Sequence, residues 1–489
     1  MAGRPSGTTA KNIAPPRRAA AFALLAVVQT TLLLAMMSIV IALPEIRVEL
    51  GLDPSWSALV NAAYPVSFCG ILLLGGRLGD VHGHRLILMI GVSVFTVGSA
   101  MTATAPDLVL ILTGRFLQGC GAALAAPAGT ALVGALFTER SSYDRALALW
   151  GGLPMTGGTL GLLIAGPVVG SGSWRWIFSL PTAVGVAALV LIPALFDRDA
   201  PSRQRRGMDL VGSVLVTLGL AALCYGLVDA GDRQWDWTVL VPLGLALLLL
   251  LAFVLVEAGS RDPLVPFALV RRRRTMIGLL AMACGASGVF TASYMIPQYF
   301  QETRGFTPGQ TSAAYVPYAF AMLVTTIVSG TVLRRWGPRT TMLFGLVLAA
   351  VGLYFLSRLG DDLPYVSPIL LGMVTFPPGA LLVFAGAAVV TLSGIPREHA
   401  GIAGGLLNAT TELGPTAGFA VLVSIASSWT ASVGGGATDA GAARAAGYGL
   451  ALKVAAGGFL LVAAVTYLAL PRRPTSRGAR TSRGAPRSE

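Results

Sequence analysis

Residues Gly76 to Arg85 read GRLGDVHGHR, a short, charged and glycine-containing turn between two long apolar segments. A related stretch, GTVLRRWGPR, follows 254 residues later at Gly330 to Arg339, and two glycines and an arginine coincide when the stretches are aligned. A polar turn between two apolar helices, repeated half a chain later, is typical of a duplicated helical bundle in a membrane. The repeat therefore predicts two copies of one bundle.

The composition places the chain in a membrane. Of its 489 residues, 54% are hydrophobic and only 12% are charged, and the mean hydropathy is +0.73. A spanning helix needs about 20 apolar residues, and windows of this kind occur fourteen times, at 20–43, 56–75, 86–104, 108–129, 146–169, 177–196, 210–228, 238–256, 276–299, 311–333, 341–356, 366–392, 400–423 and 447–470. We therefore predict an all-α membrane protein with fourteen transmembrane helices.

Basic residues predict the orientation of these spans. The termini and the even-numbered turns hold 27 of the 35 lysines and arginines, whereas the odd-numbered turns hold 6. The positive-inside rule then places both termini in the cytoplasm of a bacterial cell membrane. The basic segment 471–489 is expected to face anionic lipid rather than nucleic acid.

The repeat also predicts the organisation of the chain, because it pairs the first six spans with the last six. The predicted parts are an N-terminal six-helix bundle (1–196), a linker with two inserted transmembrane helices (197–274), a C-terminal six-helix bundle (275–470) and a cytoplasmic tail (471–489). We call the two bundles the N-half and the C-half.

Several motifs resemble those of a known family. The hairpin resembles the signature loop of the major facilitator superfamily at Gly76, Leu78, Gly79, Asp80, Gly83 and Arg85. Further motifs are similar to those of its fourteen-span drug:proton antiporter branch, and they comprise Arg115 and Gln118 in GRFLQG, Gly166, Pro167 and Gly170 in GPVVG, WRWIF at 174–178, and Pro297, Tyr299 and Gln301.

The resemblance implies the major facilitator fold and proton-coupled efflux of amphipathic small molecules by alternating access. It implies a gating role for the hairpin around Asp80, a bent helix typical of exporters at Gly166, Pro167 and Gly170, and a link between Arg115 and proton coupling. The partners expected are a small-molecule substrate, protons and membrane lipid. We expect a monomer that is not an enzyme and needs no cofactor besides the proton gradient.

The residue types of the hairpin suit a latch between the two halves. Gly76 and Gly83 permit backbone conformations that other residues resist, which keeps the turn short. Asp80 and Arg85 carry charge at its surface, and the position of Asp80 is taken by Arg334 in the repeat. Opposite charges at equivalent positions favour contact between the halves. The alternative is that Asp80 and Arg85 only solvate a loop.

Two charged residues lie deep inside predicted spans, Arg115 in the fourth and Glu412 in the thirteenth. At 1.5 Å per residue, Arg115 lies about 12 Å from the outer end of its span and Glu412 about 18 Å from the inner end of its own. In a core about 30 Å thick the two occupy the same layer. Because intramembrane charges are costly, both are candidate functional residues.

Glu412 is the candidate proton carrier, since desolvation favours the protonated form of a carboxyl group. Asn408 lies one turn away on the same side of the helix, which predicts a polar stripe facing a hydrated cavity. The alternative for Glu412 is a purely structural hydrogen bond to a neighbouring helix. The alternative for Arg115 is an arginine that ties helices together through backbone carbonyl groups.

The first span departs from the family pattern. The first span of the family usually contains an acidic residue shortly before Ala-Leu-Pro, and the aligned residue here is Ala35. This substitution argues against polycationic substrates and leaves Glu412 as the only carboxyl group deep in the predicted membrane.

The substrate cavity is expected to be apolar with a few aromatic and amide groups. The candidates are Gln29, Tyr64, Gln118, Tyr294, Tyr299 and Asn408. For the aromatic residues, helix packing or a place at the membrane interface is the alternative.

Two other functions remain open. A gradient-independent facilitator or an importer of a small metabolite would keep the fold, and the missing acidic residue in the first span makes it conceivable. A membrane receptor or enzyme is disfavoured, because no nucleophile, base and acid cluster and no metal-ligand spacing is visible. No metal site is predicted.

Overall fold

The computed structural model describes residues 15–52, 54–137, 140–197, 210–232, 237–259, 272–359, 368–392, 400–434 and 440–470. These residues form helices and no strand. The helices are α1 (Pro15–Leu50), α2 (Pro54–His82), α3 (His84–Ala103), α4 (Leu108–Leu136), α5 (Arg140–Gly170), α6 (Arg175–Leu195), α7 (Leu210–Asp232), α8 (Trp237–Gly259), α9 (Arg273–Gln298), which continues as a π-helical turn (Tyr299–Thr303), α10 (Pro308–Ala314), α11 (Val316–Leu356), α12 (Pro368–Leu392), α13 (Ala400–Gly434) and α14 (Ala440–Ala469).

Long apolar helices dominate this part of the chain. Within the described ranges, nine helices are long and apolar enough to cross a membrane, and a bent pair, Trp56–Leu72 and Leu74–His82, passes the same test. Shorter apolar stretches lie within α5, α7 and α13. Each predicted span coincides with one of these helices or with part of one, so the all-α membrane class is confirmed.

The tenth and eleventh predicted spans are one continuous helical stretch rather than two helices joined by a loop. Residues 308–356 form 49 residues of apolar helix, about 74 Å at 1.5 Å per residue, which is too long for one crossing. The stretch turns at Gly337, whose φ of 76° and ψ of 161° are not helical. The residues before and after Gly337 therefore form two crossings.

Gly83 and Gly337 have the same role in the two halves. Gly83 has φ 96° and ψ 134° and is the single residue between α2 and α3. Both glycines have positive φ with extended ψ, 254 positions apart, as the repeat predicts. The prediction for Gly76 is wrong, because Gly76 lies inside α2 and is not among the positive-φ glycines of the described residues.

This difference predicts opposite outcomes for two alanine variants. Gly83→Ala is expected to destabilise the protein by about 1 to 3 kcal/mol, because it forces an L-residue into a strained conformation. Gly76→Ala is expected to be neutral or slightly stabilising, since its Cβ would lie 3.8 Å from Pro127 Cβ, an ordinary contact. Thermal unfolding of both variants in detergent checks this; equal melting temperatures would contradict it.

Helix packing places the predicted insert beside both halves. Helix α7 packs against α2 of the N-half and α13 of the C-half, and α8 packs against α7. The end of α1 and the start of α14 meet at Glu302, which binds Arg47 and Arg444, so the start of α1 and the end of α14 share the other face, which we call the termini face. The opposite face, where α1, α5 and the π-helical turn end, is the far face. The exact boundaries of the four predicted parts stay predictions.

Candidate functional site

An apolar cavity of about 160 Å³ lies where helices of both halves meet. We call it the central cavity. Its lining includes hydrophobic, aromatic and sulfur-containing side chains, which suit amphipathic molecules. The lining residues are Leu33, Met36 and Met37 of α1, Gly158, Thr159 and Leu162 of α5, Ala286, Val289, Phe290 and Ser293 of α9, Tyr318 and Met322 of α11, Phe384 of α12, and Thr411 and Pro415 of α13.

The few polar groups of the central cavity have specific contacts. The Thr159 hydroxyl of the N-half donates to Met322 Sδ of the C-half at 3.6 Å. The Tyr318 and Ser293 hydroxyl groups lie close to each other in the lining. The cavity therefore offers oriented hydroxyl groups at isolated points of an otherwise apolar wall.

Arg115 is completely buried beside this cavity. Its Nη1 donates to Ala35 O at 2.9 Å and to Gln118 Oε1 at 3.0 Å, and Nη2 lies 3.4 Å from Met36 O. The guanidinium group also lies 5.0 Å from the centre of the Tyr64 ring, within the range of a cation–π interaction. The guanidinium group therefore links α4 to the backbone of α1, while the Met36 side chain of α1 faces the cavity.

The missing acidic residue of the first span has a direct structural consequence. Ala35 contributes its backbone carbonyl to Arg115 at the position where the family usually has a carboxylate. Among the described residues, no carboxylate forms an ion pair with Arg115. The contacts are those of an arginine that ties helices together, and its role in proton coupling stays a prediction.

Glu412 and Asn408 lie on α13, but their side chains are outside the described part of the structure. The backbone nevertheless positions Glu412 directly after Thr411 and three residues before Pro415, which both line the central cavity. This placement brings the candidate proton carrier to the segment of α13 that borders the cavity. Its role stays a prediction.

Most predicted cavity residues have other surroundings. Gln118 donates to Ser99 Oγ at 2.8 Å while it accepts from Arg115, and the Tyr64 hydroxyl donates to Leu32 O at 3.0 Å. Tyr294 packs edge-on against Phe419 and lines a second, polar pocket near the far face. Gln29 and Tyr299 are buried in the helix packing. In a low-dielectric interior, amide and phenol groups are used to satisfy other buried polar groups.

The hairpin residues lie at the termini face. Asp80, in the last turn of α2, is exposed, and its Oδ1 lies 3.6 Å from Nε2 of His84, the first residue of α3. Arg85 follows in the first turn of α3. The described ion pair of Asp80 is thus within the N-half, and the predicted latch between the halves stays a prediction.

The halves are hydrogen-bonded to each other near the far face. Gly166 N donates to Ser312 Oγ at 2.9 Å, and the same hydroxyl donates to Leu162 O at 2.6 Å. Gly166 is buried in this contact, whereas Pro167 and Gly170 of the same motif are exposed. Ser312 was not singled out by sequence reasoning, although the capping box formed by Thr307 and Gln310 marks the start of its helix α10.

A cluster of three charges joins the two halves at the far face. Arg47 of α1 donates to Glu302 Oε1 at 2.5 Å, and Arg444 of α14 donates to Glu302 Oε2 at 3.1 Å. In addition, Gln298 and Gln301 donate to the carbonyl groups of Val40 and Ile41 at 3.1 and 3.0 Å. Sequence reasoning missed this cluster, because three charges in separate turns give no local signal.

Comparisons with known proteins agree with this architecture. The Major Facilitator Superfamily model matches residues 25–419. The chain is 33% identical over 397 residues to the cephamycin export protein of Amycolatopsis lactamdurans, which covers 80% of this chain and 82% of that protein. It is 31% identical over 443 residues to the puromycin resistance protein of Streptomyces alboniger, with coverage of 88% and 87%.

A solved structure has the same fold at low sequence identity. It is that of a bacterial homologue of the human lysosomal transporter Spinster, in an inward-facing and unoccupied conformation. The TM-score is 0.69 at 15% identity, and the similarity covers 94% of this chain and 98% of that one. Since the family match extends over most of the sequence and a relative above 30% identity covers four fifths of both chains, this multi-pass membrane protein belongs to the Major Facilitator Superfamily.

Proposed function

We propose that this protein exports amphipathic small molecules of the antibiotic type from a bacterial cell by alternating access. The observation that carries the proposal is the apolar central cavity, which is built from helices of both halves. Relatives at 33% and 31% identity are named for cephamycin export and for puromycin resistance, which supports export as the direction of transport and antibiotics as the class of substrate.

The described contacts support a state that is closed at the far face. Cross-half hydrogen bonds involve Val40, Ile41 and Gly166, all beyond the midpoint of helices that run towards the far face. At the termini face, the Asp80 side chain is 60% exposed. If the termini are cytoplasmic, as the arginine distribution predicts, the far face is the outer one, and an exporter collects its substrate from the opposite face.

We further propose that export is coupled to the proton gradient and that Glu412 carries the proton. Its position on α13, beside Thr411 and Pro415 of the cavity lining, would let substrate and proton influence each other's binding. Arg115 lies behind the Met36 backbone and contributes a fixed positive charge near the cavity. In this proposal, the charge of Arg115 tunes the proton affinity of Glu412.

Proteoliposomes test the coupling directly. Glu412→Gln is expected to abolish substrate-dependent proton movement, because an amide cannot exchange a proton at this site, whereas the wild type moves protons with substrate. Internal pH is recorded with a fluorescent dye while a labelled antibiotic is transported. Glu49→Gln is the control, since Glu49 pairs with Arg175 inside the N-half at the far face; it should leave coupling intact.

The result also separates export from the facilitator alternative. Equal proton movement in wild type and Glu412→Gln would show that another group carries the proton. Substrate movement without proton movement in either protein would favour a gradient-independent facilitator, an outcome to which Ala35, in place of the usual acidic residue, lends some support.

A further inference from the structure

A small polar pocket separates the halves just below the far face. It measures about 40 Å³ and is bordered by Arg47 and Ser57 of the N-half and by Tyr294, Gln298, Glu302 and Tyr448 of the C-half. We call it the polar seam. Whereas the lining of the central cavity carries no charged residue among those described, the border of the polar seam includes Arg47 and Glu302, and the seam lies where the halves must part if the far face opens.

Glu302 closes the polar seam. Its side chain is only 7% exposed and binds one arginine from each half. Within the described ranges, the Arg47–Glu302 pair is the one ion pair that joins the N-half to the C-half. Opening would separate Glu302 from Arg47, but Arg444 belongs to the C-half and would stay. The Arg47 contact is thus the part of the cluster that favours closure.

In contrast to Glu302, which pairs with two arginines, Asn61 is a buried polar residue without described side-chain hydrogen bonds. It is 1% exposed, and among the residues that the structure describes neither its Nδ2 nor its Oδ1 has a hydrogen-bond partner. On α2 it follows Ser57 by four residues and Ala58 by three, so it lies on the same helix face as these two pocket residues, about one turn deeper. An unsatisfied amide disfavours the closed state, because water could reach it only after the halves part.

The facing helix repeats this arrangement. Thr291 of α9 is completely buried, and its hydroxyl has no hydrogen-bond partner within the described part of the chain. It precedes the pocket residues Tyr294 and Met295 by three and four residues, so it also lies one turn below the polar seam. Unsatisfied polar groups on both walls are the arrangement expected of a surface that becomes wet in another conformation.

We propose that Glu302 and Asn61 are positioning residues that act in opposite directions on far-face opening, with Glu302 holding the face closed and Asn61 favouring its opening. The inference rests on the alternating access of the proposed function. A protein that must open and close repeatedly needs two states of similar free energy, and the two residues balance each other within one seam.

Distance measurements between spin labels test the proposal. Labels at Ser171 of the N-half and Ser432 of the C-half, both exposed near the far face, report its opening by double electron–electron resonance in nanodiscs, in a background with the native cysteines replaced by alanine. Glu302→Gln is expected to raise the open population about tenfold or more, a shift of about 1.4 kcal/mol. Glu49→Gln, which removes a pair within the N-half, should leave it unchanged.

The double variant gives the decisive comparison. Adding Asn61→Leu to Glu302→Gln should lower the open population again, because leucine has a similar size and no unsatisfied polar group. An open population that rises further, or a Glu302→Gln protein identical to wild type, would overturn the proposal. Antibiotic export by cells is measured separately, so that distance shifts of the expected sign without any export would reject the proposed function and not this inference.

Discussion

Replacement of Arg115 by leucine is expected to lower export at least about a hundredfold. The guanidinium group makes hydrogen bonds to the Ala35 and Met36 carbonyl groups and to Gln118, and hydrogen bonds to charged groups contribute about 1.5 to 3 kcal/mol each. Losing two of them costs about 3 kcal/mol or more, which corresponds to a hundredfold. Loss of these bonds would displace Met36, whose side chain lines the central cavity.

Lysine at the same position separates charge from geometry. Arg115→Lys retains a positive charge but cannot reach several fixed acceptors with a planar group. If the ties between helices are what matters, the lysine variant should be nearly as defective as leucine. If instead the positive charge tunes proton affinity, the lysine variant should retain most export. Antibiotic accumulation in cells, normalised to the amount of folded protein in the membrane, provides the readout, and wild-type export by Arg115→Leu would refute both roles.

Gly166→Ala is expected to reduce export about tenfold or more, whereas Gly170→Ala should have no effect. A Cβ at Gly166 would collide with Pro308 O and with the Ser312 side chain, while a Cβ at Gly170 would meet no atom of the described residues within 4 Å. Overpacking of this kind costs about 1 to 3 kcal/mol. Here the cost would apply only to the conformation in which α5 contacts α10. Closure of the far face would therefore be disfavoured.

The two glycines form a matched pair, because both belong to the motif AGPVVG and both lie on α5. Transport rates of the variants, measured at equal amounts of folded protein, give the comparison. The spin-label pair at Ser171 and Ser432 should in addition report a more open far face for Gly166→Ala alone. Equal losses in both variants would indicate a general effect on helix α5 instead of a specific contact with Ser312.

Much of the fold followed from local patterns. Helices that cross a membrane must satisfy their backbone internally and face lipid with apolar side chains, so each one leaves a long apolar window in the sequence. The turn at Gly83 was equally visible, because only glycine tolerates its φ of 96°. Local pattern failed at Gly76, where a glycine within α2 looks identical to one in a turn.

The candidate functional site was likewise recognisable from the sequence only in part. Arg115 was recognisable from the sequence, since a charge within an apolar span is costly wherever it points. Its partners were not, because backbone carbonyl groups carry no sequence signal. Glu302 could not be recognised from the sequence, because acidic residues are common near turns. Only the tertiary structure places Arg47 and Arg444 beside it.

Hydropathy and the 254-residue repeat thus identify the membrane class, the spans and the duplicated turn, because these properties depend on residues adjacent in the chain. The closed far face, the apolar central cavity and the unsatisfied Asn61 depend on side chains separated by up to hundreds of residues. The turn at Gly83 belongs to the first group. The contacts between the halves belong to the second, since they arise only when two bundles are packed against each other.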